Sequence, residues 1–245
     1  GNMVLSYFDE VANEFQLVPS DSKSGQGIVY DFASALFQDK EQNMWVATGN
    51  HGLYRFNPNH QYFTTVSHIN KTTRQTGSGG ILSFLQLSDD DILVGSWGDG
   101  IFRYNSKFQE KPFDARFVSK QSSAMFWSMY PSADSNTVWM GSQPGIYQYD
   151  RARNTMMHRN PAPLQNRTVR QIAEDRSGNL WLGMHHFGLF KWVSPKSAGK
   201  EELVKIPELG NDLITKIAVD SAGWVWVTAE KKGVFAFDGQ NGRML

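Results

Sequence analysis

The stretch "DRSGNLWLGMHHFGLFKW", residues 175–192, holds a polar turn, an apolar run around Trp181, a second turn ending in Gly188 and a strand of alternating aromatic and polar residues. Met once, it reads as a small site with a histidine pair beside aromatics. Met five times, it is a structural unit. The chain repeats it: "NMWVATGNHGLYRFN" at 43–57, "DILVGSWGDGIFRYN" at 91–105, "TVWMGSQPGIYQYD" at 137–150 and "WVWVTAEKKGVFAFD" at 224–238. The anchors Trp45, Leu93, Trp139, Trp181 and Trp226 recur 42 to 48 residues apart. A sustained period of that length is the signature of a repeat architecture.

Each unit opens with a further short strand, such as "SALFQD" at 34–39 or "ITKIAVD" at 214–220, and a polar turn follows. A weaker fourth strand comes last, clearest in "YFTTV" at 62–66. Four short strands per unit, rich in β-branched and aromatic residues and parted by turn chemistry, predict an all-β protein: a β-propeller of four-stranded blades. No apolar period of helical spacing competes with this reading. The expected units are 33–66, 81–117, 124–158, 168–206 and 213–238, within one domain covering 1–245. The segment 7–18 matches 55–66 at a constant offset, so residues 3–18 supply a spare outer strand pair. Closing a five-bladed ring with that pair would remove exposed sheet edges. The duplicated third strand also fits a segment of a larger ring.

Composition narrows the function classes. Twenty-four basic and twenty-four acidic residues cancel, which argues against a nucleic-acid partner, since phosphate binding needs a surplus of Lys and Arg. No cysteine is present, so thiolate metal sites, redox motifs and disulfides are excluded. No apolar run reaches the roughly 18 residues of a membrane helix, so no membrane insertion by this segment is expected. Gly1-Asn2 ahead of Met3 reads as a cloning remnant, and a signal peptide is therefore not excluded.

The stretches "RTVRQIAEDRSGNLWLGMHHFGLFKW" and "LGNDLITKIAVDSAGWVWVTAEKKGVFAFD" resemble two-component regulator propeller repeats. Their pattern is an aliphatic strand, an acidic residue, a Gly-Asn turn, Trp, then glycine and an aromatic strand. The likeness spans residues 33–238; it is weaker in the second unit, with Leu93 for Trp, and in the third, with "SADSNT" for the turn. It implies the extracytoplasmic sensor region of a bacterial hybrid two-component system, many of which respond to polysaccharide breakdown products. A periplasmic location and an oligosaccharide or other small ligand follow as expectations, with a protein partner or further domains of the same chain as additional partners.

In such a scaffold the second-to-third-strand turns and the links between units share one face, where ligands commonly bind. The candidates there are Asn50, His51, Arg74, Trp97, Asp99, Gln143, Arg167, His185, His186, Phe187, Lys231 and Lys232. Trp97 can stack on a sugar ring or pack on a neighbouring link, and nothing separates the two. His185 and His186 are adjacent in a turn and suit one metal poorly, so neither a metal nor a cofactor is expected. Lys231-Lys232 reads as a solvated turn or as an anion site, and Arg170 shares that ambiguity. Asp89-Asp90-Asp91 lies in a turn at the opposite end and reads as solvent-facing. A Ca²⁺ loop at "DRSGN" is disfavoured, because turns with different acids recur at the same place.

Three functions compete: a non-enzymatic binding module, an enzyme and a pure interaction scaffold. The enzyme reading rests on a resemblance to streptogramin lyase-like propellers, with His51, His185 or His186 as base and Glu230 or Asp99 as partner. A carboxylate pair for glycoside cleavage would have to come from Asp99, Glu208, Asp212 or Glu230. The binding module is the expected function.

Overall fold

In a strand buried on both faces the apolar run is continuous rather than alternating, and the strands carrying Trp45, Trp139 and Trp181 are of this kind, whereas burial alternates along the strand carrying Trp226. The computed structural model describes residues 4–9, 12–18, 20, 28–57, 62–70, 73–112, 124–165, 167–197, 199–200, 202–239 and 244. The chain divides into two compact units, 1–123 and 124–245.

In the first unit, β1 (Ser6–Asp9) and β2 (Glu14–Leu17) pair with each other, Ser6 opposite Leu17. A four-stranded antiparallel sheet follows, in sequence order: β3 (Ala33–Gln38), β4 (Met44–Thr48), β5 (Leu53–Asn57) and β6 (Tyr62–Val66). The next sheet has β7 (Ile81–Ser88), β8 (Asp91–Ser96) and β9 (Ile101–Tyr104). The expected unit runs to residue 117, and its last residues, 113–117, lie outside the described residues. In the second unit, β10 (Met125–Pro131), β11 (Thr137–Gln143), β12 (Ile146–Asp150) and β13 (Thr155–Arg159) form one antiparallel sheet. A second contains β14 (Val169–Glu174), β15 (Leu180–Met184), β16 (Leu189–Val193) and β17 (Glu202–Ile206). The last contains β18 (Ile214–Val219), β19 (Trp224–Ala229) and β20 (Gly233–Asp238), with Met244 bridged to Phe237. The only helices among the described residues are two short 3-10 turns.

The repeated tryptophan joins one sheet to the next. Trp45 packs with Ile81, Ile92, Val94 and Phe102 of the following sheet. Trp139 packs with Val169, Ile172, Leu180 and Leu182, and Trp181 with Ile214, Ile217, Val225 and Val227. All three are at most 1% exposed, whereas Trp226 is 43% exposed. Burying such a side chain contributes a few kcal/mol.

An acidic residue in the preceding turn completes the unit. Asp39 accepts the Trp45 indole N–H at 2.9 Å, Asp175 that of Trp181 at 3.1 Å, and Asp220 that of Trp226 at 2.8 Å. Asp39 and Asp175 also accept the main-chain and side-chain N–H groups of Asn43 and Asn179. This explains the recurring turn without a calcium ion. In the third repeat Ser132 stands where Asp175 stands in the fourth, each two residues past the partner of its tryptophan. Among the described residues the buried Trp139 indole N–H has no acceptor. The acidic run 89–91 divides: Asp89 and Asp90 are exposed, but Asp91 is buried and held by Arg103, whose Nε lies 2.6 Å away. The reading of all three as solvent-facing fails at Asp91, because the third-strand arginine reaches back to it.

Every first strand carries a register shift near its start: 33/35, 81/83, 126/128, 169/171 and 214/216. The extra residues are Ser34, Leu82, Trp127, Arg170 and Thr215. A bulge leaves its extra residue out of the ladder and re-aims its side chain.

Candidate functional site

The bulge residues Trp127 and Arg170 lie at equivalent places in neighbouring sheets, and they meet. The Arg170 guanidinium carbon sits 4.7 Å from the Trp127 ring centroid. The His185 ring lies parallel to that indole, centroids 6.4 Å apart, and touches His186 edge-on at 4.5 Å. The next residue of the turn, Phe187, lies under two cations, with Arg167 Cζ at 3.2 Å and Lys205 Nζ at 4.2 Å from its centroid. Phe187 itself stacks on buried Phe190.

Main-chain bonds hold this turn and its neighbours to the links. His185 N–H donates to Thr168 O, Gly188 N–H to Asp212 O, Glu230 N–H to Leu213 O and Gly145 N–H to Arg167 O, at 2.9 to 3.0 Å. Gly188 has a positive φ of 79°, and a Cβ there would lie 2.2 Å from Gly210 O, so both conformation and space require glycine. A polar, aromatic-spotted surface is thus fixed to rigid elements.

Burial sets the local electrostatics. Partial desolvation lowers the pKa of His185, with His186 and Arg170 adding to the effect and Glu230 opposing it. The imidazole is therefore mostly neutral near pH 7, able both to donate and to accept. Desolvation likewise lowers Arg170, against Glu230, but an arginine remains cationic.

The other expected residues are placed as follows. Gln143 is exposed at the end of β11. Lys231 and Lys232 are exposed; the Lys231 main chain donates to Asp212 Oδ2 at 3.0 Å and Lys232 Nζ to Glu208 O at 2.9 Å. Asp212 also accepts from Leu213 N–H, so it serves its own turn. In the first unit, Asn50 donates to Asp31 at 2.9 Å, and exposed His51 lies 3.9 Å from the same carboxylate. Trp97 is 50% exposed, and Arg74 is exposed in a left-handed turn with φ of 60°.

Asp99 is buried within the first unit. It lies 2.8 Å from His68 Nε2, accepts Gly79 N–H at 2.8 Å, and also accepts the Asn70 amide. A Cβ at Gly77 or Gly79 would strike His68 or Asp99. Burial works to raise the Asp99 pKa, but the bonds from His68, Gly79 and Asn70 outweigh it and the pKa is lowered. Asp99 therefore anchors the link at 67–80.

Trp127 and Lys205 were not among the sequence candidates. Aligning the first strands on their bulge would have found Trp127, opposite Ser34, Leu82, Arg170 and Thr215. Among the described residues no group of three His, Asp or Glu side chains is placed to hold a metal ion. A shallow cavity of about 240 Å³ lies at the opposite end, lined in part by Arg176, Trp224 and Asp238. What the turn at 185–187 offers is an aromatic face, neutral and cationic hydrogen-bond donors, and a rigid support.

The match to known proteins falls on this turn. Residues 163–186 match the family model described as two component regulator propeller. This stretch is similar to a two-component regulator propeller repeat. The repeat contains Arg167, Arg170, His185 and His186. In three dimensions the chain is similar to the extracellular domain of the putative hybrid two component system BT3049 from B. thetaiotaomicron, with 20% identity and a TM-score of 0.77. The likeness covers 100% of this chain and 32% of that one, so the chain spans about a third of that structure's length. The extracellular domain of the putative one component system BT4673 from the same organism matches at 16% identity and a TM-score of 0.42, over 99% of this chain and 33% of that one. A chain of a mitotic checkpoint complex matches at 11% identity and a TM-score of 0.62, over 96% of this chain and 69% of that one. At such identities the likeness is one of fold. No curated protein matches the chain in sequence.

Proposed function

We propose that the chain is a non-enzymatic binding module, the extracytoplasmic sensor part of a two-component signalling protein, and that it recognises a carbohydrate-type ligand. The sheets are then successive blades of a propeller, in the five-bladed ring or as part of a larger one. The observation that carries the ligand reading is the cluster of Trp127, Arg170, His185 and His186. A sugar presents C–H groups on one face and hydroxyls at its edge, and this cluster pairs an aromatic face with rigidly held donors and acceptors. The regulator repeat supports the signalling role, and the similarity to a hybrid-system extracellular domain supports the location.

The test is a thermal-shift and calorimetric screen of the protein against neutral and acidic plant and host oligosaccharides. A ligand at about 100 times its Kd adds roughly 2.7 kcal/mol of stability. Binding without cleavage, lost in Trp127→Ala and in His185→Ala/His186→Ala, is the expected outcome. Cleavage of the glycan would make the protein an enzyme. A flat screen with cooperative melting would overturn the carbohydrate reading.

A further inference from the structure

Positive charge is distributed unevenly over the described residues. Lys40, Arg55, Arg103, Lys191 and Lys196 each reach a carboxylate in a first-to-second-strand turn: Asp89, Asp39, Asp91, Asp175 and Asp134. At the opposite end of the fourth sheet, Arg167, Arg170 and Lys205 surround the turn 185–187. Among the described residues none of these three has a carboxylate within ion-pair distance. Lys205 donates to Asn211 Oδ1 at 2.6 Å, and Arg167 and Arg170 make no side-chain hydrogen bond among the described residues.

Arg170 is the more telling of the two arginines. It is half-buried, held by the bulge against Trp127, and placed where an uncompensated charge is costly. Stacking on an aromatic ring offsets only part of that cost. Arg167 and Lys205 both sit on Phe187, like charges sharing one ring. Glu230 is the nearby acid; it is exposed and forms no ion pair with Arg170 among the described residues, so its charge offsets only part of that cost. A neutral sugar would leave these cations as they are. An anionic group would supply a direct ion-pair partner, and guanidinium groups match carboxylate and sulfate geometry in a bidentate way.

We infer that the turn 185–187 of the fourth sheet takes an anionic oligosaccharide, whose carboxylate or sulfate groups are met by Arg170, Arg167 and Lys205 while a sugar face lies against the Trp127–His185 pair. The inference rests on the carbohydrate reading and deepens it.

The test is calorimetry on the full chain with four probes: an oligogalacturonate, its fully methyl-esterified form, a sulfated glycosaminoglycan oligosaccharide and a neutral galactan oligosaccharide. Expected is binding of the galacturonate or of the sulfated oligosaccharide, at least tenfold weaker for the ester, and weakened further as salt is raised. Which of the two binds tells carboxylate from sulfate. Arg170→Gln and Arg167→Gln/Lys205→Gln each lower the affinity about fivefold or more, whereas Lys107→Gln, at an exposed position in the other unit, leaves it unchanged. Arg167 is exposed, so its variant remains informative should Arg170→Gln fold poorly. Equal binding of ester and acid overturns the inference, as does equal binding of polyglutamate, which would mark unselective charge attraction. Binding of the neutral galactan alone overturns it too but leaves the carbohydrate reading standing. Binding of no glycan overturns both.

Discussion

The third and fourth repeats contain a built-in control for the worth of one hydrogen bond. Trp139 and Trp181 are equally buried, lie in the same compact unit, and fill the same kind of gap between sheets. They differ at the indole nitrogen, which in Trp181 is bonded to Asp175 and in Trp139 has no acceptor among the described residues. Replacing each with Phe removes similar apolar area, and that loss cancels in the comparison. Trp181→Phe additionally breaks a bond to a charged group, about 1.5–3 kcal/mol. The lower end applies, because Asp175 Oδ2 keeps the Asn179 amide at 3.0 Å. Trp139→Phe instead removes a buried donor that has no partner, recovering about 1–3 kcal/mol of desolvation cost. Trp181→Phe is therefore the more destabilising by about 2 kcal/mol or more. The assay is equilibrium urea unfolding followed by far-UV circular dichroism, with midpoints compared at unchanged slope. Equal losses, or a larger loss at Trp139, would refute the claim that the turn aspartate is what the repeat's tryptophan needs.

Three further outcomes follow from the same geometry. Trp226→Ala costs about half of what Trp181→Ala costs, the latter being about 3–5 kcal/mol, because Trp226 is 43% exposed; thermal melts of the two variants check this, and equal losses would refute it. The His185 pKa lies below the ordinary histidine value of about 6.5, since desolvation, His186 and Arg170 lower it. Its neutral form is the one the fold favours, so this contribution is present above pH 6.5 and is lost as the pH falls through that value; an NMR titration of the imidazole, set beside His185→Gln, shows an upward shift if the sign is wrong. Asp99→Ala leaves His68 and Gly79 N–H without their acceptor, costs about 1–3 kcal/mol, and speeds amide exchange at Gly79. Unchanged exchange there would remove Asp99 from its anchoring role.

How far the sequence reaches is visible residue by residue. Each tryptophan strand, the glycine closing each second turn and the aromatic alternation on the third strand are local patterns, and the strands form where those patterns stand. The sequence reads Trp226 like its counterparts, because a residue's own neighbours cannot report whether another sheet lies against it. Asp99 occupies a turn that faces ligand space in this kind of scaffold, yet it is buried. What decides this is the approach of His68, Gly77 and Gly79 from a link about twenty to thirty residues earlier, a contact with no sequence period. The aspartate partners of Trp45, Trp181 and Trp226 stand six positions before the indole and could have been found by counting.

The bulge was the least legible feature and matters most for the site. A hydrophobic pattern marks alternation, and one extra residue near a strand's start looks like noise within it. Yet the five first strands all carry the shift, and the residue set outside the ladder is Ser34, Leu82, Trp127, Arg170 or Thr215. A position that keeps its backbone while its side chain ranges from hydroxyl to indole to guanidinium is under little constraint from strand pairing. The recurring bulge fixes where those groups point, and their chemistry is free to differ from one repeat to the next. Trp127 beside Arg170 is then a property of repeating the unit: two adjacent bulges bring an aromatic face and a cation to within 4.7 Å, each at the cost of a one-residue register shift that the rest of its strand absorbs.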